Sequence, residues 1–339
     1  MSLGKRRTLL TAAALSPWML SKAVWAQTAN LKISHQFPGG SATEGDFRDR
    51  LCRLFASEVE QRSKGSLKFE IYPGSSLMKT NAQFSAMRKG ALDLSLVPLS
   101  YAGGEMPEVN IGLMPGLVTS YDQGYGWRNA EVGRDLNRLL LDKGIVIVSW
   151  IWQAGGVASR TKPIVEPEDA SGLKIRGGSR EMDLILKAAG AAVVSLPSNE
   201  IYAAMQTGAL DAALTSSTSL ISFRLEEVSK NLTTGRGKAY WFMLEPLMMS
   251  KAVFDRLSKE QQALIMTVGA EMEVFARKSA QLDDSLVAAI YQKSGAKVAD
   301  LGDATVKKWQ AIARVTAWKD YGEKNENCAR LLQLAQKTL

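Results

Sequence analysis

Apolar residues along this chain follow two rhythms that alternate. Around Leu31–Ser34, Leu67–Tyr72, Leu92–Val97 and Leu173–Arg176 they recur every second position; Leu67, Phe69 and Ile71, for example, alternate with Lys68, Glu70 and Tyr72. That is the period of a strand. Between these runs the period lengthens. Phe47, Leu51, Leu54, Phe55 and Val59 share one face of a helix expected over 42–62, with charges on the other face. Further helices are expected over 81–89, 122–141 and 180–189, with strands over 145–152 and 211–214. This βαβ order predicts an α/β protein with mainly parallel strands, and a length of 339 residues predicts about two domains.

The longest periodic stretch lies near the end. Leu264, Ile265, Val268, Met272, Phe275, Leu282, Leu286 and Ile290 sustain a helical stripe, and Ser258 with Gln261 has the spacing of a capping box. A helix over 258–292 would be ~50 Å long at 1.5 Å per residue, more than one small lobe spans. Trp309, Ile312, Val315, Trp318, Leu331 and Leu334 then mark shorter helices over 303–337, expected to pack on the second lobe.

The first 26 residues stand apart: a basic start (Lys5, Arg6, Arg7), an apolar run (Leu9 to Leu20, broken by Ser16 and Pro17) and the small-residue ending Val24-Trp25-Ala26. This is the plan of a signal peptide cut after Ala26, and the apolar run is too short to span a bilayer. The Arg6-Arg7 pair fits either a Sec or a twin-arginine leader. Removing it takes away four basic side chains and no acid, which lowers the formal charge of +8 by four. The remaining basic residues are scattered, which excludes a nucleic-acid footprint. His35 is the only histidine, and Cys52 and Cys328 are the only cysteines. No His/Cys cluster for zinc and no Cys-His or Ser-His pairing follows from so few, so neither a metal nor a cofactor is expected. In an exported protein the two cysteines could bond, but their spacing says nothing of their distance in space.

Candidate chemistry centres on Gly172-Leu173-Lys174-Ile175-Arg176-Gly177-Gly178. Arg176 ends a short strand, where ligands of open α/β sheets bind, and a guanidinium there can grip a carboxylate through two parallel hydrogen bonds. Around it runs an ordered series: Pro163-Ile164, Pro167-Glu168-Asp169, Leu196-Pro197, and Glu200-Ile201-Tyr202-Ala203-Ala204-Met205-Gln206-Thr207-Gly208-Ala209-Leu210-Asp211-Ala212. This series resembles the DctP-type solute-binding proteins of TRAP transporters, and a looser likeness extends from about Leu31 to about Tyr291.

The resemblance implies a two-lobed periplasmic-binding-protein fold with a hinge, the long helix spanning both lobes. It divides the chain into lobe I (27–151 plus about 240–279) and lobe II with the C-terminal helices (152–239 plus about 280–339). It implies a periplasmic receptor, a monomer, that closes on a small organic acid and delivers it to the small and large membrane subunits of a transporter. Gln153-Ala154-Gly155-Gly156 resembles the Gln-x-Gly-Gly of the family's 2-oxo-acid branch, whose glutamine and arginine hold carboxylate and keto group; Gln153 and Arg176 would take those roles here. Ser198 and Trp241 fall at family contact positions. From their places at strand ends, Thr215, Ser100, His35 and Phe37 complete the expected contact set. Where the 2-oxo-acid branch has Glu-Trp after the Asp-Ala block, this chain has Leu214-Thr215, so the metal-binding glutamate is missing. A 2-oxo or 2-hydroxy monocarboxylate, with or without an aromatic tail, is the favoured ligand. An exported hydrolase is the rival reading, opposed by the lack of a Gly-x-Ser-x-Gly elbow, a zinc signature or a phosphate loop. A ligand sensor for a membrane kinase is the third.

Overall fold

The computed structural model describes Met1 and residues 29–339. The expected leader and its cleavage after Ala26 thus lie outside the described residues, Met1 aside. Among the described residues are twelve strands: β1 (Ala29–His35), β2 (Leu67–Tyr72), β3 (Leu94–Leu96), β4 (Ile145–Ser149), β5 (Trp152–Ser159), β6 (Lys174–Arg176), β7 (Ala192–Val193), β8 (Ala212–Ser216), β9 (Asn231–Thr234), β10 (Phe242–Leu244), β11 (Leu247–Ser250) and β12 (Lys297–Asp300). They form two sheets. The first runs β2-β1-β3-β11-β4; the second runs β12-β9-β5-β8-β6-β7, with β10 added on β5.

β1 pairs in parallel with β2 and β3, as the βαβ rhythm requires, whereas β11 is antiparallel to both its neighbours. The departure follows from the route of the chain: β11 arrives from the second sheet and enters the first from the opposite end. The strand expected over 145–152 is in fact two. β4 belongs to the first sheet and β5 to the second, and at the break the Trp150 amide donates to Glu273 Oε1 (3.0 Å) instead of to a strand. β10 and β11 make the return crossing, and the Glu245 amide between them donates to Ile151 O (2.8 Å), tying the two crossings together.

The long helix, Lys259–Lys293, starts at the expected capping box: Gln261 N donates to Ser258 Oγ and Ser258 N to Gln261 Oε1. It packs on the helix Phe47–Arg62 of the first lobe and on β5, β9 and the helix Ser217–Ser222 of the second. Its buried face uses small residues at the crossing; a Cβ on Gly269 would lie 2.2 Å from Val148 O. Two positions of the predicted stripe are misplaced. Leu282 and Leu286 are exposed, while Val287 and Tyr291 turn inward, because the contact face drifts around the helix as its partner changes from one lobe to the other. The helix expected over 122–141 is likewise broken into Tyr121–Gly126, a 3₁₀ turn at Trp127–Asn129 and Glu131–Asp142.

The C-terminal helices do not pack on the second lobe alone. Trp309 Nε1 donates to Val165 O there, but Trp318 Nε1 reaches Pro115 O, Tyr321 Oη reaches Glu108 O, and Arg330 pairs with Asp135. Aromatic N–H and O–H tips need a partner when their rings are buried, and here backbone carbonyls of both halves provide it. Cys52 and Cys328 are both buried and free.

Candidate functional site

Arg176 occupies the last position of β6, paired with Ala213 of β8. The turn after it requires glycine: Gly178 has φ of +97°, and a Cβ there would lie 2.7 Å from Arg176 Nη1. The guanidinium is buried, with 2% of the residue exposed. Nε donates to Leu196 O (3.1 Å), Nη1 to Leu214 O (2.7 Å) and Nη2 to the Tyr101 hydroxyl (2.9 Å). Among the described residues it has no carboxylate partner within ion-pair distance. Asp183 is the acid whose field it feels; burial pushes that carboxyl up to about 6, and Arg176 opposes the rise. A buried cation held by carbonyls and a phenol instead of a counter-ion carries a desolvation cost on the order of several kcal/mol that no charge among the described residues offsets by direct pairing.

The first lobe closes over this point. Tyr101 follows β3, and its oxygen also accepts from Ser198 N (2.9 Å). Ser100 Oγ donates to Gly178 O (3.2 Å), and Thr80 Oγ1 lies 3.4 Å from Asn199 Oδ1. Between the lobes lies a cavity of about 330 Å³ whose walls include Ser100, Tyr101, Asn110, Gly178, Ser179 and Leu196. The structure therefore brings together Arg176, Ser198 and Ser100 of the expected set. Tyr101, next to Ser100 in the turn after β3, joins them.

The remaining expected residues are buried, and three of them stand behind Arg176: Thr215 follows Leu214, whose carbonyl accepts from it, Trp241 holds the Gly177 carbonyl next to it, and Gln153 lies on β5, the neighbour of β8. Gln153 Nε2 donates to the Glu245 carboxylate, although its Oε1 has no protein partner. Thr215, 2% exposed, is the fourth of the five residues of β8 and lies opposite Gly156. Trp241 is buried against Gly155, where a Cβ would meet the indole at 2.2 Å, and its N–H donates to Gly177 O (2.9 Å). It braces the turn behind Arg176 and is not an open aromatic wall. His35 and Phe37 are fully buried: His35 Nε2 lies 3.1 Å from Asp49 Oδ1, and the Arg48 guanidinium stacks on the Phe37 ring at 3.6 Å. Burial would raise the Asp49 carboxyl, but hydrogen bonds from His35, Arg53 and the Gly40 amide hold it below the usual range.

Arg48 leads to a second feature, one with no signal in the sequence pattern. It is fully buried, pairs with Asp46 (2.6 Å) and Glu245 (3.1 Å), and reaches Ser219 Oγ (3.1 Å) and Ser216 Oγ (3.4 Å) in the second lobe. One guanidinium thus faces two carboxylates at the lobe crossing. Burial pushes Glu245 up to about 7, with Arg48 opposing. Burial also opposes the charge on Arg48, but Asp46 and Glu245 more than offset it, so its proton is held more tightly than usual.

Two lobes joined by two strand crossings and a shared helix, meeting over a buried unpaired arginine, define a solute-binding protein of the periplasmic type. The chain belongs to bacterial extracellular solute-binding protein family 7, DctP, whose profile matches residues 40–325. It is 72% identical over 340 residues to a solute-binding protein of Albidiferax ferrireducens, covering 99% of this chain and all of that one. A crystal structure of a TRAP periplasmic solute-binding protein from Rhodoferax ferrireducens with bound malonate superposes with a TM-score of 0.90 at 76% identity, over 91% of this chain and 98% of that one. The 2,3-diketo-L-gulonate-binding periplasmic protein of Escherichia coli is 27% identical over 77% of this chain and 79% of its own length. Membership makes the chain a solute-binding protein of transport and not an enzyme.

Proposed function

We propose that this chain captures a short-chain organic acid whose carboxylate is gripped by Arg176, and that a 2-oxo or 2-hydroxy monocarboxylate is its favoured form. The observation that carries this is the buried guanidinium at the end of β6 with no ion-pair partner among the described residues. Ser100 and Ser198 flank it from opposite lobes, and Gln153, with its free amide oxygen, and Thr215 stand deeper as polar reserve. Trp241 braces the turn behind Arg176, and His35 and Phe37 pack around Arg48 and Asp49. A short dicarboxylate is the second reading, favoured by the malonate in the Rhodoferax ferrireducens structure. The mature receptor begins after Ala26, works in the periplasm as a monomer, and passes its ligand to small and large integral subunits of a TRAP transporter. The test is thermal unfolding of refolded, ligand-stripped mature protein across pyruvate, lactate, malonate, succinate and sugar acids. A ligand at ~1,000 times its dissociation constant adds ~4 kcal/mol to the folded state. Stabilisation by three-carbon acids, lost in Arg176→Ala, supports the reading; stabilisation by sugar acids alone would sink the ligand class, and equal stabilisation of Arg176→Ala would sink the anchor.

A further inference from the structure

The Tyr101 hydroxyl has an unusual accounting. Its oxygen accepts one hydrogen bond from Arg176 Nη2 (2.9 Å) and one from Ser198 N (2.9 Å), both from groups that can only donate. Both lone pairs of the phenol are therefore used, and its own O–H is left to donate. Among the described residues no protein acceptor takes it, while Tyr101 forms part of the wall of the 330 Å³ cavity between the lobes. Arg176 has the complementary accounting: a guanidinium carries five N–H donors, and Nε, Nη1 and Nη2 each spend one on Leu196 O, Leu214 O and Tyr101. Two N–H donors remain, the number that a bidentate carboxylate takes.

We propose that Tyr101 is a specificity-determining residue of this receptor, its O–H donating to a second acceptor oxygen that the ligand carries beside the carboxylate held by Arg176. The inference rests on the proposed Arg176 anchor and narrows it. Arg176 and Tyr101 touch across the lobes (2.9 Å), so two N–H groups and one O–H make three spare donors on one hydrogen-bonded pair, one more than a lone carboxylate's bidentate face uses. A keto, hydroxyl or second carboxylate oxygen completes the set. Tyr101 belongs to the first lobe and Arg176 and Ser198 to the second, so the third donor is aimed only when the lobes meet. A plain acid engages the arginine and leaves the tyrosine proton unpaired in a partly buried site. Gln153, expected to hold the second oxygen, spends one of its two amide N–H donors on Glu245.

Three acids of equal carbon count isolate the effect. Propionate has only its carboxylate, pyruvate adds a 2-oxo oxygen, and malonate adds a second carboxylate. Titration calorimetry on the wild-type mature protein is expected to show pyruvate or malonate, or both, binding at least about tenfold more tightly than propionate, as a site with a buried unpaired donor requires. In Tyr101→Phe the preferred acid loses about 10- to 100-fold, propionate changes less than threefold, and the preference collapses. Arg176→Ala weakens all three. Equal affinities of the three acids for the wild type overturn the proposal without any variant. So does a Tyr101→Phe protein that loses affinity for all three equally, since the tyrosine would then only fasten the lobes, or one that loses none. If Arg176→Ala keeps full affinity for each acid, or no acid binds, the anchor reading itself falls, whatever Tyr101 does. Ligand-free melting curves of Tyr101→Phe within about 2 °C of wild type would exclude a folding effect as the cause; if the drop is larger, the three-acid comparison on the wild type decides.

Discussion

Glu245→Gln is the substitution that tests how the buried charge at the lobe crossing is managed. Glu245 is fully buried between Arg48 Nη1 and the Gln153 amide, and Arg48 already holds Asp46. Burial pushes the Glu245 carboxyl up to about 7 in the folded chain; an exposed glutamate titrates near 4.3. The folded state therefore keeps a proton that the unfolded state releases. Stability from this group is fully present below about pH 4.3, falls as the pH rises, and is lost once it passes about 7. The whole swing is about 3–4 kcal/mol, at 1.36 kcal/mol per unit, and about 2–3 kcal/mol of it falls between pH 5 and pH 8. Glutamine keeps the shape and carries no titrating proton. Its loss of the charged contact to Arg48 is a constant offset.

The assay is urea unfolding of wild type and Glu245→Gln at pH 5, 6, 7 and 8, taking the difference in stability at each pH. That difference removes the slopes contributed by Asp183, Glu273, Asp283 and Asp284, whose carboxyls burial also raises and which both proteins share. Glu245→Gln is expected to gain on the wild type by about 2–3 kcal/mol from pH 5 to pH 8. Two parallel profiles would refute the reasoning. They would mean that Arg48 fully compensates two carboxylates and that burial carries no net penalty for Glu245.

Other substitutions probe neighbouring points. Arg48→Met leaves Asp46 and Glu245 buried without their cation and is expected to destabilise by about 3–5 kcal/mol; a loss under 1 kcal/mol by urea unfolding would show the cluster to be solvated. Gly269→Ala drives a methyl to within 2.2 Å of Val148 O, so the long helix must shift from β4, at a cost of about 1–3 kcal/mol. An unchanged urea midpoint would deny that close approach. Cys52 and Cys328 are buried free thiols, and burial pushes both above their ordinary range. A thiol reagent such as Ellman's should report none reactive in the native protein and both after denaturation without reductant. Absence of reactive thiols in the denatured state would reveal a disulfide.

The elements with a strong, single-sided pattern were legible. Leu67–Tyr72 alternates because one face of β2 is buried, and the Ser258/Gln261 box marks the start of the long helix because both orphan donors need local partners. Legibility failed where one segment serves two environments. The run Ile145–Trp152 is apolar but for Ser149, and one serine does not show that the strand ends there and a new one begins at Trp152 in another sheet. Leu282 and Leu286 keep the helical period yet face solvent, because the partner surface changes halfway along. At the candidate site, the place of Arg176 at a strand end before a glycine turn was readable. Arg48 was not, since an arginine at a helix start ordinarily faces water and only the fold brings it to Glu245.

On the proposed reading, the asymmetry between the two arginines explains how one chain can be both firm and responsive. Arg48 sits at the axis where the strands cross, and its charge is satisfied by Asp46 and Glu245 from within the fold. It contributes rigidity that does not depend on ligand. Arg176 sits buried at the end of β6, and the contacts that close over it are neutral or singly charged hydrogen bonds: Arg176 and Ser198 to Tyr101, Ser100 to Gly178. The neutral bonds are worth about 0.5–1.5 kcal/mol each net of water and the one from Arg176 about 1.5–3 kcal/mol, so these contacts alone bias closure modestly. A ligand moves that equilibrium only by binding the closed form better than the open one. An anion bridging Arg176 of one lobe and Tyr101 of the other has that differential affinity, since in the open form it meets the arginine alone. The receptor's closed shape would then report that an acid of the right kind is inside, which is the information a membrane partner needs.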